Sequence, residues 1–134
     1  MIRTYVFDSY ALLAFFQDET GADAVRELIL SAELGDVNLA MCVVNLGEVW
    51  YAIARKQSAE VADDYANAIQ GMAIEVVEVD WVLARQAAIY KVKGNISYAD
   101  CYVAALAKLR KGNVVTGDKE FEILADDVKI TWLK

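Results

Sequence analysis

Apolar positions along this chain recur with two different periods. Short β-rich runs alternate with longer stretches whose apolar residues fall at three- and four-residue spacing, as on one face of a helix. Arg3 to Phe7 reads as a strand, and Ser9 to Gln17 as a short apolar helix carrying Tyr10, Leu12, Leu13, Phe15 and Phe16. After the turn at Asp18-Glu19-Thr20-Gly21, Ala22 to Leu34 is amphipathic, with Val25, Leu28, Ile29 and Ala32 inward. Gly35-Asp36 ends it, and Asn38 to Val43 is a second strand. Asn45 opens a helix with Leu46, Val49, Trp50 and Ile53 on one stripe, and Ser58 opens another with Val61, Tyr65, Ala68, Ile69 and Met72 inward.

The second half repeats the alternation. Ile74 to Val79 is a strand, and Asp80 caps a helix to Lys93 with Val82, Leu83, Ala87, Ile89 and Tyr90 inward. Gly94-Asn95 breaks it, Ser97 starts a helix to Lys111, and Gly112-Asn113 ends that one. Val114 to Thr116 is a strand, Asp118 to Leu124 a short helix and Val128 to Trp132 a last strand. Strands separated by helices predict a parallel sheet covered on both faces.

Composition narrows the chemistry. The 134 residues suit one domain with one substantial core. No apolar run approaches the ~20 residues of a spanning helix, and Asp8 interrupts the N-terminal apolar stretch, which argues against a signal peptide. Cys42 and Cys101 are too few for a disulfide framework and read as buried thiols of a cytoplasmic protein. Histidine is absent, which excludes Ser-His-Asp and Cys-His nucleophiles and His-ligated zinc. Proline is absent too, so helix starts rely on Ser, Asp, Asn and Thr caps. The net charge of −7 is uneven: Arg85 to Lys119 holds seven basic residues against two acids, a net of +5, leaving −12 elsewhere. That basic tract (Lys91, Lys93, Lys108, Arg110, Lys111, Lys119) offers candidates for phosphate contacts in a chain otherwise too acidic for nucleic acid.

With histidine gone, carboxylates carry the candidate chemistry. Asp8, Glu48, Asp100 and Asp118 each fall just after, or one turn beyond, a strand-like run. Those are positions near the carboxyl ends of parallel strands, where open α/β sheets bind ligands. Four gathered carboxylates repel one another unless a hard cation such as Mg²⁺ or Mn²⁺ offsets them. Each acid also has a capping reading. Asp8 and Asp118 can cap the helices that follow, Asn45-x-x-Glu48 resembles a capping arrangement, and Ser97-Tyr98-Ala99-Asp100 fits the S-x-x-D box. The helix from Tyr98 to Ala107 is apolar almost all round, however, and a buried Asp100 needs a partner or a metal.

Asp8-Ser9, Asn45-x-x-Glu48, Ser97-Tyr98-Ala99-Asp100 and Thr116-Gly117-Asp118-x-x-Phe121, in this order, resemble the PIN-domain family. The resemblance is closest to the VapC-type toxin ribonucleases of type II toxin–antitoxin systems, and it spans residues 1–134 as a single PIN-like nuclease domain. Cys101 stands where a small residue, often Ala, is usual. The resemblance implies a three-layer α/β/α sandwich with a parallel, roughly five-stranded central sheet. Strands one, two and four would be central and strand three an edge, which carries Asp80 away from the crevice. It also implies a cytoplasmic Mg²⁺- or Mn²⁺-dependent endoribonuclease that hydrolyses RNA phosphodiester bonds with a metal-activated water, and a homodimer paired with a cognate antitoxin. Asp8, Asp100 and Asp118 would hold the metal, with Glu48 as ligand directly or through water, and Ser9 and Thr116 in support.

The alternatives are a PIN-like RNA-processing nuclease without antitoxin, or a catalytically weak protein-binding module that uses the Tyr10–Phe16 apolar cluster. An aspartyl-phosphate phosphotransferase is a weaker reading, because the second acid of its usual Asp-x-Asp is Tyr10 here.

Overall fold

Five strands, β1 (Arg3–Phe7), β2 (Val37–Cys42), β3 (Ile74–Val77), β4 (Asn113–Thr116) and β5 (Lys129–Trp132), pair in the order β3-β2-β1-β4-β5. The computed structural model describes residues 2–134. Every pairing is parallel, with Val6 opposite both Ala40 of β2 and Val114 of β4. β1, β2 and β4 are the inner strands and β3 is an edge, as the family resemblance implied.

The inner strands are apolar on both faces because both faces are covered. Val6, Ala40 and Val114 face one cluster, filled by Leu83, Ala87 and Tyr90 of α5 (Trp81–Val92) and by α6 (Tyr98–Arg110). Their neighbours Phe7, Met41 and Val115 face the opposite cluster, with Leu12 of α1 (Ser9–Phe16), Val25 of α2 (Ala22–Glu33), Val49 of α3 (Val43–Lys56) and Ile69 of α4 (Ala59–Gln70). Period-two alternation along a strand thus produces the three-layer α/β/α sandwich. The apolar residues of α1 serve mainly this packing: Leu12 is fully buried, Leu13, Phe15 and Phe16 are half-buried, and the Phe16 ring tilts against Tyr65 of α4 at 4.5 Å. Both cysteines are free and buried.

Two strand ends and two helix faces differ from the sequence reading. The second strand ends at Cys42, and Val43 already belongs to α3, whose N-cap Cys42 supplies no side-chain cap. The third strand stops at Val77. On α5, Val82 and Ile89 are exposed and the buried positions are Leu83, Ala87 and Tyr90; on α4, Ala68 is exposed and Ala62 takes the inward position. Both helices carry apolar residues on more than one face, so periodicity alone did not select the face turned to the sheet.

From β1 the chain winds through β2 to β3 on one side, then crosses to β4 on the other. The crevice outside the carboxyl ends of β1 and β4 is therefore the topological switch point of the sheet, the place where such folds bind ligands.

Candidate active site

Asp8 directly follows β1 and is the N-cap of α1, where its Oδ1 accepts the Ala11 N–H at 2.8 Å. Its Oδ2 accepts from the Thr116 hydroxyl at the end of β4. Asp8 is 1% exposed, and burial pushes its carboxyl up to about 7, against the opposing pull of the Thr116 and Ala11 donors and with added repulsion from Asp118 and Glu48. Thr116 Oγ1 also accepts the Asp118 N–H at 2.9 Å, so one buried hydroxyl joins the residues that follow β1 and β4. Asp118 in turn caps the 3₁₀ helix Lys119–Leu124, its Oδ1 accepting the Glu120 N–H at 2.9 Å. Ser9 opens α1 half-buried, and the hydroxyl that holds Asp8 is that of Thr116.

Asp100 lies in the first turn of α6, in the helix whose residues from Asp100 to Ala107 are all buried. Ser97 caps this helix by accepting the Asp100 N–H at 3.1 Å. The reciprocal half of a capping box, a bond from the Ser97 N–H to the Asp100 carboxylate, is replaced: that N–H donates to Glu120 Oε1 at 3.2 Å. The Asp100 carboxyl also rises to about 7, chiefly through burial, then through the charges of Asp8, Asp118 and Glu48.

Glu48 lies in the second turn of α3. Because α3 begins at Val43, Asn45 is inside the helix and does not cap it. Asn45 is fully buried, and its Nδ2 donates to Glu48 Oε1 at 3.0 Å and to the Ala99 carbonyl at 3.1 Å. One amide thus steers Glu48 and fastens α3 to the start of α6. Asn45 Oδ1 is buried without a hydrogen-bond partner among the described residues.

Of the four acids singled out in the sequence, Asp118 and Glu48 lie close enough to raise the Asp8 and Asp100 carboxyls, and Asp8 also raises Asp100. Among the described residues, the carboxylates grouped closely enough to share a cation keep two of the four and add another acid: Asp100, Asp118 and Glu120 present oxygens that all lie within 4.8 Å of one another. Glu120 was missed because it reads as a surface acid in a short polar helix; its signal in the sequence is the Asp118-x-Glu120 spacing behind a strand. Both Asp8 oxygens are engaged by protein donors, and Asp8 is not a member of this trio. Asp80 caps α5 through the Leu83 N–H at 2.9 Å, beyond edge strand β3.

The basic tract divides. Lys108 pairs with Asp127 and Arg110 makes a two-bonded pair with Glu75, both near the carboxyl end of α6, with Lys111 its C-cap. At ~1.5 Å per residue, that end lies more than 10 Å along the axis from Asp100. Lys91 donates to the Ile96 carbonyl at 2.7 Å, in the loop leading to Ser97, and Lys93 lies over the Tyr90 ring. Lys119 is exposed beside Asp118.

The parallel α/β/α sandwich thus groups carboxylate oxygens at its switch point. The chain belongs to the PIN-domain family, whose model matches residues 5–127. Its fold is similar to that of VapBC2 from Rickettsia felis bound to a promoter DNA fragment (14% identity, 98% of this chain and 99% of that one, TM-score 0.75). It is also similar to DNA-bound VapBC from Salmonella typhimurium (16% identity, 98% of each chain, TM-score 0.73). A third similar structure is Mycobacterium tuberculosis VapC20, described as a sarcin-ricin loop cleaving toxin (18% identity, 88% of this chain and 92% of that one, TM-score 0.70). Comparison of the sequence with curated proteins finds no significant match.

Proposed function

We propose that this chain is a divalent-metal-dependent endoribonuclease, the toxin of a toxin–antitoxin pair, formed as a single PIN-like domain that works in the cytoplasm. The observation that carries the reading is the carboxylate trio Asp100, Asp118 and Glu120 at the switch point, backed by Asp8 and Glu48. Membership of the PIN family and the likeness to VapBC structures support the toxin assignment and an antitoxin partner. Among the described residues no helix is long and apolar enough to cross a membrane, in keeping with a reading that needs none.

The residues fit a hard cation. The grouped donors are all carboxylate oxygens, the orphaned Asn45 Oδ1 adds another oxygen beside Glu48, the chain has no histidine, and neither cysteine belongs to the group, so nothing in it favours zinc. Asp100, Asp118 and Glu120 would hold Mg²⁺ or Mn²⁺, with Asp8 and Glu48 completing the ligand set. Such a cation would offset the carboxylates' repulsion, neutralise phosphate charge and make a water more acidic. The chain's own part is positional. Thr116 holds Asp8 and the start of the Asp118 turn in register, Asn45 aims Glu48, and Ser97 fixes the turn that carries Asp100. Without histidine, proton movement falls to these carboxylates.

The test is cleavage of RNA by purified protein with Mg²⁺ or Mn²⁺, compared with Asp100→Asn and Asp8→Asn. Activity that needs the metal and is lost in both variants is expected; equal activity in the variants refutes the assignment. Co-purification with the product of a neighbouring small gene, and the mass of the free protein, test the antitoxin and the homodimer.

A further inference from the structure

Gly117 stands between Thr116, which holds Asp8, and Asp118 of the carboxylate trio. A Cβ placed on Gly117 would lie 2.3 Å from Tyr10 Cε1, 2.5 Å from its Cζ and 2.8 Å from its hydroxyl oxygen. The phenol end of Tyr10 is therefore laid directly on the backbone of the turn that supplies Asp118, in a space only glycine leaves open. Tyr10 belongs to the first turn of α1, two residues after Asp8, yet it is not a core residue: the buried positions of α1 are Ala11, Leu12 and Ala14, and Tyr10 keeps 43% of its surface exposed. Its hydroxyl has no hydrogen-bond partner among the described residues. The result is an aromatic ring seated against the acid crevice, braced from beneath and open to solvent.

Resting on the nuclease reading, we propose that Tyr10 is the stacking platform for an unpaired base of the RNA substrate, next to the phosphate held at the acids. Three features argue for a base. The ring is braced against backbone, so little side-chain freedom is lost when a base stacks on it. It adjoins the carboxylates, so a nucleotide on it is a neighbour of the one being cut. The turn beneath the ring continues to the exposed Lys119, so a phosphate contact can accompany the stack. A base reaches such a ring only when it is unstacked from its own helix, so the platform selects single-stranded or looped RNA over duplex. Tyr10 is thus a positioning residue for substrate and takes no part in holding the metal.

The experiment measures binding of a fluorescein-labelled single-stranded RNA of mixed sequence by anisotropy, with Ca²⁺ present and the same strand in duplex form as comparison. The proteins are wild type, Tyr10→Ala, Tyr10→Phe and, as an exposed aromatic residue beyond edge strand β3, Trp81→Ala. Tyr10→Ala is expected to weaken single-strand binding by about 5- to 100-fold, the range of one lost base–aromatic stack. It should raise KM more than it lowers kcat. Tyr10→Phe and Trp81→Ala should stay within about twofold, and divalent-cation binding by calorimetry should be unchanged in all. An abasic nucleotide at the stacked position should weaken wild type and leave Tyr10→Ala unaffected, an outcome that loosened folding cannot mimic. Equal binding by wild type and Tyr10→Ala overturns the proposal, as does a loss in Tyr10→Phe as large as in Tyr10→Ala, which would assign the role to the hydroxyl. Wild-type protein that binds and cleaves no RNA refutes the nuclease reading itself, and the platform with it.

Discussion

Thr116 and Asp8, 108 residues apart in the chain, are joined by a hydrogen bond from the threonine hydroxyl to the aspartate carboxylate at the floor of the crevice. The same hydroxyl oxygen accepts the Asp118 N–H, so its loss leaves a buried carboxylate oxygen and a backbone donor without partners at once. Thr116→Val keeps the side-chain shape and removes only the hydroxyl. It is expected to cost about 2 kcal/mol of stability, read from denaturant unfolding, while Thr116→Ser recovers most of it. Equal stability of wild type and Thr116→Val would show that the hydroxyl holds nothing.

Metal-free protein is expected to lose stability as pH rises through neutrality. The Asp8 and Asp100 carboxyls, ordinarily at 3.8, are each pushed up to about 7, chiefly by burial. Between those values the folded state binds protons that the unfolded chain has released, so stability falls with rising pH. The contribution is full below about pH 4 and is lost as pH passes through about 7. Thermal melts with a chelator at pH 5 and pH 8 check this; Asp100→Asn and added Mg²⁺ should each flatten the drop. A melting temperature that climbs over the same interval refutes it.

Glu120→Gln separates two roles of one side chain. The amide oxygen still accepts the Ser97 N–H, so the α6 cap survives and stability should change by no more than ~0.5 kcal/mol. The charge facing Asp100 and Asp118 is removed, so Mg²⁺ or Mn²⁺ affinity by calorimetry should fall at least about fivefold. Unaltered affinity would exclude Glu120 from the ligand set.

Asn45→Asp puts a fully buried acceptor where an amide donor now serves Glu48 and the Ala99 carbonyl. Repulsion and desolvation together are expected to cost about 2–4 kcal/mol, the range of a buried group stripped of its partners. The loss should be larger at pH 8 than at pH 5. Chemical unfolding at both values tests it.

The sandwich was legible because most strands and helices announce themselves by period, and because strand ends coincide with the acids. The edge position of β3 came from the family resemblance and not from any periodicity. What stayed illegible has particular causes. The start of α3 was misplaced because no capping side chain marks Cys42, and the polar Asn45 beyond it looked like a cap although it is buried. The charge count from Arg85 to Lys119 treated one segment as one patch. A helix carries its first and last turns to opposite ends, so Lys108, Arg110 and Lys111 sit away from Asp100. Glu120 entered the site through a backbone bond to Ser97, a contact between residues 23 apart that no local pattern encodes.

The sheet order also sets a timetable. β1 is made before β2 and β3, yet its partner β4 follows both, and Phe7 meets Val115 only after all the residues between them have been made. Such distant pairing is intrinsically late in folding. On the ribosome, Asp8 waits without Thr116 until β4 emerges, so a growing chain has no assembled crevice before then. The carboxylate group is thus assembled only by a chain that has already been made from Asp8 through Glu120.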